Sequence, residues 1–236
     1  MQMSMHISAA PGEVAENVIL PGDPLRARYI AEKYLEGAVR VNEIRNTWGY
    51  TARTRASAYP SCPPAWARLH AHIRHGALPG VRLQKAHTLR HGGGHAGAHP
   101  PRGHHPLPGR FHHLGHQRLR PARPLRPIAD FGLLDRAYHL AAERGCPVYV
   151  GNTLTNDHLY VENKLEYSKL WAKYGILASE QEGVALYTAA ALYGARALMM
   201  LSIVVNLYRP EESVSDAVKE SGLDSIIQLA LDTVID

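Results

Sequence analysis

The sequence of 236 residues predicts an α/β fold, a three-layer arrangement of a mixed sheet flanked by helices, with the central part of the sheet disrupted. Three observations carry this. Short apolar runs alternate with amphipathic stretches in both flanks of the chain. Glycine, proline and capping residues fall between them. A middle segment, residues 52–127, has a composition of its own, so the chain reads as one domain over residues 1–236 with an aberrant insert.

The elements follow in order. Val18-Ile19-Leu20 is a short apolar strand, and Pro21-Gly22-Asp23-Pro24 is a turn in which Asp23 caps and Pro24 opens a helix through Tyr34. Strand, glycine turn and helix start suit an anion: Gly22 admits close backbone approach, the helix N-terminus offers N–H groups, and Arg26 adds a charge. Ile128 to Arg144 reads as an amphipathic helix started by Asp130, followed by a buried strand at Pro147-Val148-Tyr149-Val150 that ends at Gly151-Asn152. A loop from Thr153 to Asn163 precedes a helix over Lys164 to Tyr174, a strand over Gly175 to Ala178, a helix over Glu182 to Tyr193 and a strand over Ala197 to Val205. The final helix, Ser221 to Ile235, carries a core-facing stripe of Leu223, Ile226, Ile227, Leu229, Ala230 and Val234. Gly183 to Tyr208 holds Arg196 as its one charge, yet Gly194-Ala195-Arg196 divides it, so helix plus strand is favoured over a membrane span.

Composition excludes several classes. With 45% hydrophobic and 20% charged residues the chain is neither collagenous, coiled-coil nor wholly disordered. Two cysteines, Cys62 and Cys146, make no disulfide framework, and the first twenty residues carry Glu13 and Glu16 without an apolar core, so a reducing, cytoplasmic location is expected. The net charge of +5 is local in origin: residues 52–127 hold 13 of the 26 Lys and Arg and none of the 21 Asp and Glu. The same segment has 12 of the 15 histidines and 11 of the 16 prolines.

That segment fits no binding module well. Its histidines are irregularly spaced, without carboxylates or cysteines to complete a metal shell, so no metal is expected. Its aromatics are Tyr59, Trp66 and Phe111, too few and too scattered for stacking on nucleic acid. A basic, histidine-rich binding protein therefore stands as a weaker alternative.

Several motifs stand in one order and spacing: Met5-His6-Ile7; Val18 to Ala27, VILPGDPLRA; Asn42-Glu43-Ile44-Arg45-Asn46 with Trp48-Gly49-Tyr50-Thr51; Gly151-Asn152; Lys173 to Leu177, KYGIL; and Glu180-Gln181-Glu182 with Ala185-Leu186-Tyr187. Over residues 1–51 and 128–236 the chain resembles the bacterial, hexameric type of purine nucleoside phosphorylase. The resemblance implies phosphorolysis of a purine ribonucleoside to base and ribose 1-phosphate, with inorganic phosphate as co-substrate and no cofactor. It assigns phosphate binding to Gly22, Arg26 and Arg45, with Arg45 reaching across a subunit interface of a hexamer. It assigns nucleoside binding to His6, which would close a neighbour's ribose site, to Tyr160 in the base pocket, and to Glu180, Gln181 and Glu182. Glu182 would orient the ribose hydroxyls and favour the positive charge that develops on the sugar.

The departures from the pattern are as informative. The aspartate with which the family protonates the leaving purine aligns with Val205, in Val204-Val205, and its arginine partner aligns with Lys219. General acid work by one side chain is worth roughly 10²–10⁴-fold, so this chain is expected to be a severely weakened enzyme for 6-aminopurines, and its catalytic residue is unassigned. The family's base-pocket Phe and Met stand here as Leu159 and Gln181.

The middle segment is read as translated out of frame. Written in GC-rich codons and shifted by one base, Ala52 to Ser57 becomes GTYKGE, which continues WGYT in the family manner, and Gly109 to Arg118 under a second offset becomes AASTTSAINA. Such a Pro/His/Arg run is expected to supply no equivalent of a buried ladder. Arg90 superficially matches a family phosphate binder but is given no role, because in the shifted reading it is not an arginine. The second enzyme reading, a related nucleosidase using water, is disfavoured by Arg26 and Arg45.

Overall fold

In the computed structural model, which describes residues 7–10, 12–54, 57–62, 85–94, 128–157, 160, 162–208 and 216–235, the run Val18-Ile19-Leu20 forms β1 (Asn17–Pro21), buried from Val18 onward. The chain turns at Gly22 into α1 (Pro24–Tyr34). Asp23 accepts the Leu25 N–H at 2.7 Å, and Pro24 takes a first-turn position whose N–H has no helical partner to lose.

Three strands follow that the apolar patterning did not reveal. β2 (Leu35–Asn42) pairs antiparallel with β3 (Gly49–Thr54), which pairs antiparallel with β4 (Ser57–Cys62), and β4 lies parallel to β1. Next comes β5 (Lys85–Gly94), then α2 (Phe131–Glu143), β6 (Asn152–Thr155), α3 (Lys164–Lys173), β7 (Ile176–Glu180), α4 (Gly183–Tyr193), β8 (Arg196–Asn206) and α5 (Asp216–Val234). Among the described residues the sheet has eight strands in the order β2-β3-β4-β1-β5-β7-β6, with β8 paired to β5.

β5 corrects one expectation. It lies within 52–127 and still forms a central ladder, parallel to β1 from Asn17↔Lys85 to Pro21↔Leu89 and parallel to β8 from Lys85↔Arg196 to Gly94↔Asn206. The physical reason is local: the window between Pro79 and Pro100 contains no proline, so every residue of β5 keeps its N–H, and a ladder is made of backbone.

Other boundaries also shift. Pro147-Val148-Tyr149-Val150 is not a buried strand: Tyr149 is 69% exposed, and pairing starts only at Asn152↔Ile176. An apolar run reports strand propensity but not where a partner begins, and β7 begins at Ile176. The expected loop from Thr153 correspondingly yields its first three residues to β6. α5 starts at Asp216, ahead of the expected Ser221, because one internal glycine, Gly222, costs a helix only about 1 kcal/mol.

Period-two alternation along β1 builds the layers. Val18 and Leu20 pack with Leu186, Ala189 and Ala190 of α4 and with Ala197, whereas Ile19 packs with Ile30 and Ala31 of α1 and Ile227, Ala230 and Leu231 of α5. On β8, Leu198 meets Leu133 and Ala137 of α2. Helices thus cover both faces of the sheet, which is the expected three-layer α/β architecture. The apolar stretch 183–208 breaks at Gly194, whose φ of +67° ends α4, and among the described residues no helix is long and apolar enough to cross a membrane.

α1 and α5 are joined by charge as well as by packing. Asp224 accepts from Tyr29 and Tyr34 hydroxyls and from Lys33, each at 2.6 Å. Burial works to raise the Asp224 carboxyl, but the hydrogen bonds from Lys33, Tyr29 and Tyr34 outweigh it and hold the group at about 2, below its ordinary 3.8.

Two outcomes are expected. Ile19→Ala, emptying a position 1% exposed between sheet and helices, should lower unfolding free energy by about 2–5 kcal/mol, read from denaturant midpoints. Asp224→Asn should lower Tm at pH 6 by a few degrees. Because the folded-state value is depressed, that difference should be complete above about pH 4 and shrink as pH falls toward 2.

Candidate active site

The site is built at the end of β7. Its burial alternates, so Ile176, Ala178 and Glu180 face inward together. Glu180 would be an isolated buried charge, 6% exposed, were it not ringed by donors. The Thr155 hydroxyl donates to Oε1, and the backbone N–H groups of Glu182 and Gly183 donate to Oε2 at 2.5 and 2.7 Å. Thr155 is delivered by register, since it stands opposite Glu180 in the β6–β7 ladder. Its hydroxyl oxygen also accepts the Val184 N–H at 3.2 Å.

Glu182 is itself 4% exposed, and its Oε2 accepts the Gln181 N–H at 3.2 Å. Two buried carboxylates therefore flank the start of α4, where the helix dipole favours negative charge. Packing here is close: a Cβ on Gly183 would lie 2.9 Å from Glu180 Oε1 and 3.3 Å from Thr155 Oγ1. One turn on, the Tyr187 hydroxyl accepts the Met199 N–H at 2.9 Å, and burial, followed by the Glu180 charge, pushes that phenol up.

The sheet brings the other parts to this end. Ser179, just before Glu180, lies opposite Gly93 of β5, and Gly93 lies opposite Val205 of β8. Earlier on β5, Leu89 lies opposite Pro21, which leads into Gly22 and the first turn of α1. The carboxylate loop, the Gly92-Gly93-Gly94 strip, Val205 and the β1–α1 turn thus gather at one end of the central strands. Gly22, Arg26 and Gln181 are half-buried there.

The remaining residues lie differently. Arg45 is exposed and adopts a left-handed backbone, φ 56°, in a short 3₁₀ turn between β2 and β3. Tyr160 is 89% exposed. Val205 is 38% exposed, and the next residue, Asn206, accepts the Tyr208 N–H at 3.0 Å. Lys219 falls on α5. His6 and Leu159 lie outside the described residues. Sequence reasoning missed Thr155; its one signal, a hydroxyl in the strand preceding the one that ends at Glu180, becomes meaningful only once β6 is paired with β7.

Residues 85–230 match the family model described as the phosphorylase superfamily. Among curated proteins, the purine nucleoside phosphorylase DeoD-type of Streptococcus pyogenes is 34% identical over 245 residues, covering 99% of both chains. The chain belongs to the nucleoside phosphorylase family. Another member, the purine nucleoside phosphorylase DeoD-type of Geobacillus kaustophilus, is 33% identical over 249 residues, covering 99% of this chain and 98% of the relative. Two structures of uridine phosphorylase from Vibrio fischeri share the nucleoside phosphorylase fold with TM-scores of 0.76 and 0.78 at 18% identity; the first covers 97% of this chain and 95% of its own, and the second covers 98% and 96%.

The Thr155 hydroxyl gives a direct test. Thr155→Val keeps the shape but takes a donor from the buried Glu180 carboxylate and an acceptor from the Val184 N–H. It should cost about 1–3 kcal/mol in urea unfolding.

Proposed function

We propose that this end of the sheet binds a purine ribonucleoside and inorganic phosphate, with phosphorolysis as the reaction. The observation that carries the reading is the buried pair Glu180 and Glu182 at the β7–α4 junction, one residue from the strand position that meets the glycine strip. Gly22, with the N–H groups and Arg26 of the first turn of α1, would hold the phosphate, joined by Arg45 across a subunit interface in a hexamer. Glu182 would hold the ribose hydroxyls, with Glu180 and Gln181 beside it. As positive charge grows on the sugar, the Glu182 carboxylate would stabilise it while the phosphate oxygen approaches the anomeric carbon.

The base must leave with the bonding electrons, and a neutral purine leaves readily only if protonated. Val205 has no proton to give. Turnover of 6-aminopurine nucleosides by this exact chain is therefore proposed to be severely reduced. The second proposed cause is the segment 52–127, read as translated out of frame between its two family-like flanks. Resequencing the gene across codons 50 to 128 tests that cause: restored bases would support it, and an unchanged sequence would leave a decayed or repurposed copy.

Base release from inosine and from adenosine, measured with and without phosphate, tests the reaction. The chain as written should release little base from inosine or from adenosine, and robust phosphorolysis of adenosine would show that both causes were misjudged. Release independent of phosphate would favour the nucleosidase alternative. In the frame-restored chain, Val205→Asp should raise kcat on adenosine by roughly 10²–10⁴-fold.

A further inference from the structure

We propose that Glu180 is a positioning residue, acting on the reaction by fixing the backbone from which Glu182 works and not by touching the nucleoside. This rests on the ribose role given to Glu182 above. Both Glu180 oxygens are committed inward. Oε1 takes the Thr155 hydroxyl, and Oε2 takes the N–H groups of Glu182 and Gly183 at 2.5 and 2.7 Å. The next N–H, of Val184, is taken by the same Thr155 hydroxyl at 3.2 Å. Three successive backbone donors at the start of α4, groups that a helix cannot satisfy from within, are thereby tied to one side-chain pair.

The geometry leaves little space for a substrate hydroxyl beside Oε1, since Gly183 lies so close that an added Cβ would stand 2.9 Å from it. Glu182 sits at the centre of this clamp: its own N–H and that of Gly183, on either side of its Cα, bind one oxygen. Its placement is set from β7 through Glu180 and from β6 through Thr155. Two strands thus set the position of one carboxylate, which is how a buried charge can be held within the tolerance that reaction geometry demands.

The test uses the full chain, frame-restored if the chain as written is too slow to assay, with Glu180→Ala, Glu180→Asp and Glu180→Gln. Aspartate keeps the charge but falls short of the clamp. Glutamine keeps a carbonyl oxygen that can accept both N–H groups while its amide faces the Thr155 hydroxyl, which then accepts. Glu180→Ala and Glu180→Asp should lower kcat by roughly 10²-fold with KM little changed, and Glu180→Gln should restore most of the loss. Amide hydrogen exchange at Glu182 and Gly183 should quicken in the first two variants and stay slow in the third. A folded alanine or aspartate variant that keeps its kcat, or that raises KM alone as loss of a direct ligand would, overturns the proposal. If the unsubstituted, frame-restored chain turns over no nucleoside, the proposed function fails by itself, and exchange alone then decides: equal rates in the unsubstituted chain and in Glu180→Ala overturn the positioning role, and faster rates in Glu180→Ala support it.

Discussion

The backbone ladder along β5 is the constraint on which the other layers depend, because among the described residues this strand alone joins the β1 side of the sheet to β8 and to β7. Its partner on one edge changes from β1 at residues 85–89 to β7 at residues 93–94, while β8 runs the whole length of the other edge. That change of partner brings the end of β7, and with it the carboxylate loop, beside the turn from β1 into α1. The helices are then fixed by side-chain alternation on β1 and β8, with α4 on one face and α1, α2 and α5 on the other. Burial of Val18, Ile19 and Leu20 in two clusters ties both faces to the same short strand.

The β7–α4 junction shows how a site is held at that end. A buried carboxylate is costly unless donors surround it, and Glu180 has them from a neighbouring strand and from the helix it introduces. The same bonds satisfy amides that the first turn of α4 would otherwise leave bare. Stability and placement are therefore one arrangement, and a change made for either will be felt by the other. The contrast with Val205, across the glycine strip, is chemical: one side presents oxygen and the other a hydrocarbon.

Much of this was legible in the sequence. Asp23 and Pro24 gave the start of α1, Asp130 the start of α2, and Gly194 the break between α4 and β8, because capping and turn chemistry are local. The motif Glu180-Gln181-Glu182 placed the candidate carboxylates at a strand-to-helix junction, where they stand. What could not be read is pairing. β2, β3 and β4 lack strong apolar alternation and gain their identity from one another, and Thr155 gains its role from the strand opposite. Val148-Tyr149-Val150 looked like a strand and lacks that state because propensity alone does not provide a hydrogen-bonding neighbour. β5 was obscured by the composition around it, although its own ten residues contain no proline.

The ladder of β5 also sets an order of events on the ribosome. Asn17 pairs with Lys85, and Lys85 pairs with Arg196, so the first strand waits for the middle of the chain and the middle waits for nearly its end. Pairings this distant form slowly, and until they form, the edges of β1 and β5 stay open to other chains. Truncation before β8 would leave a nascent chain with its central strand half-paired, a species for chaperones to shelter rather than a small folded domain.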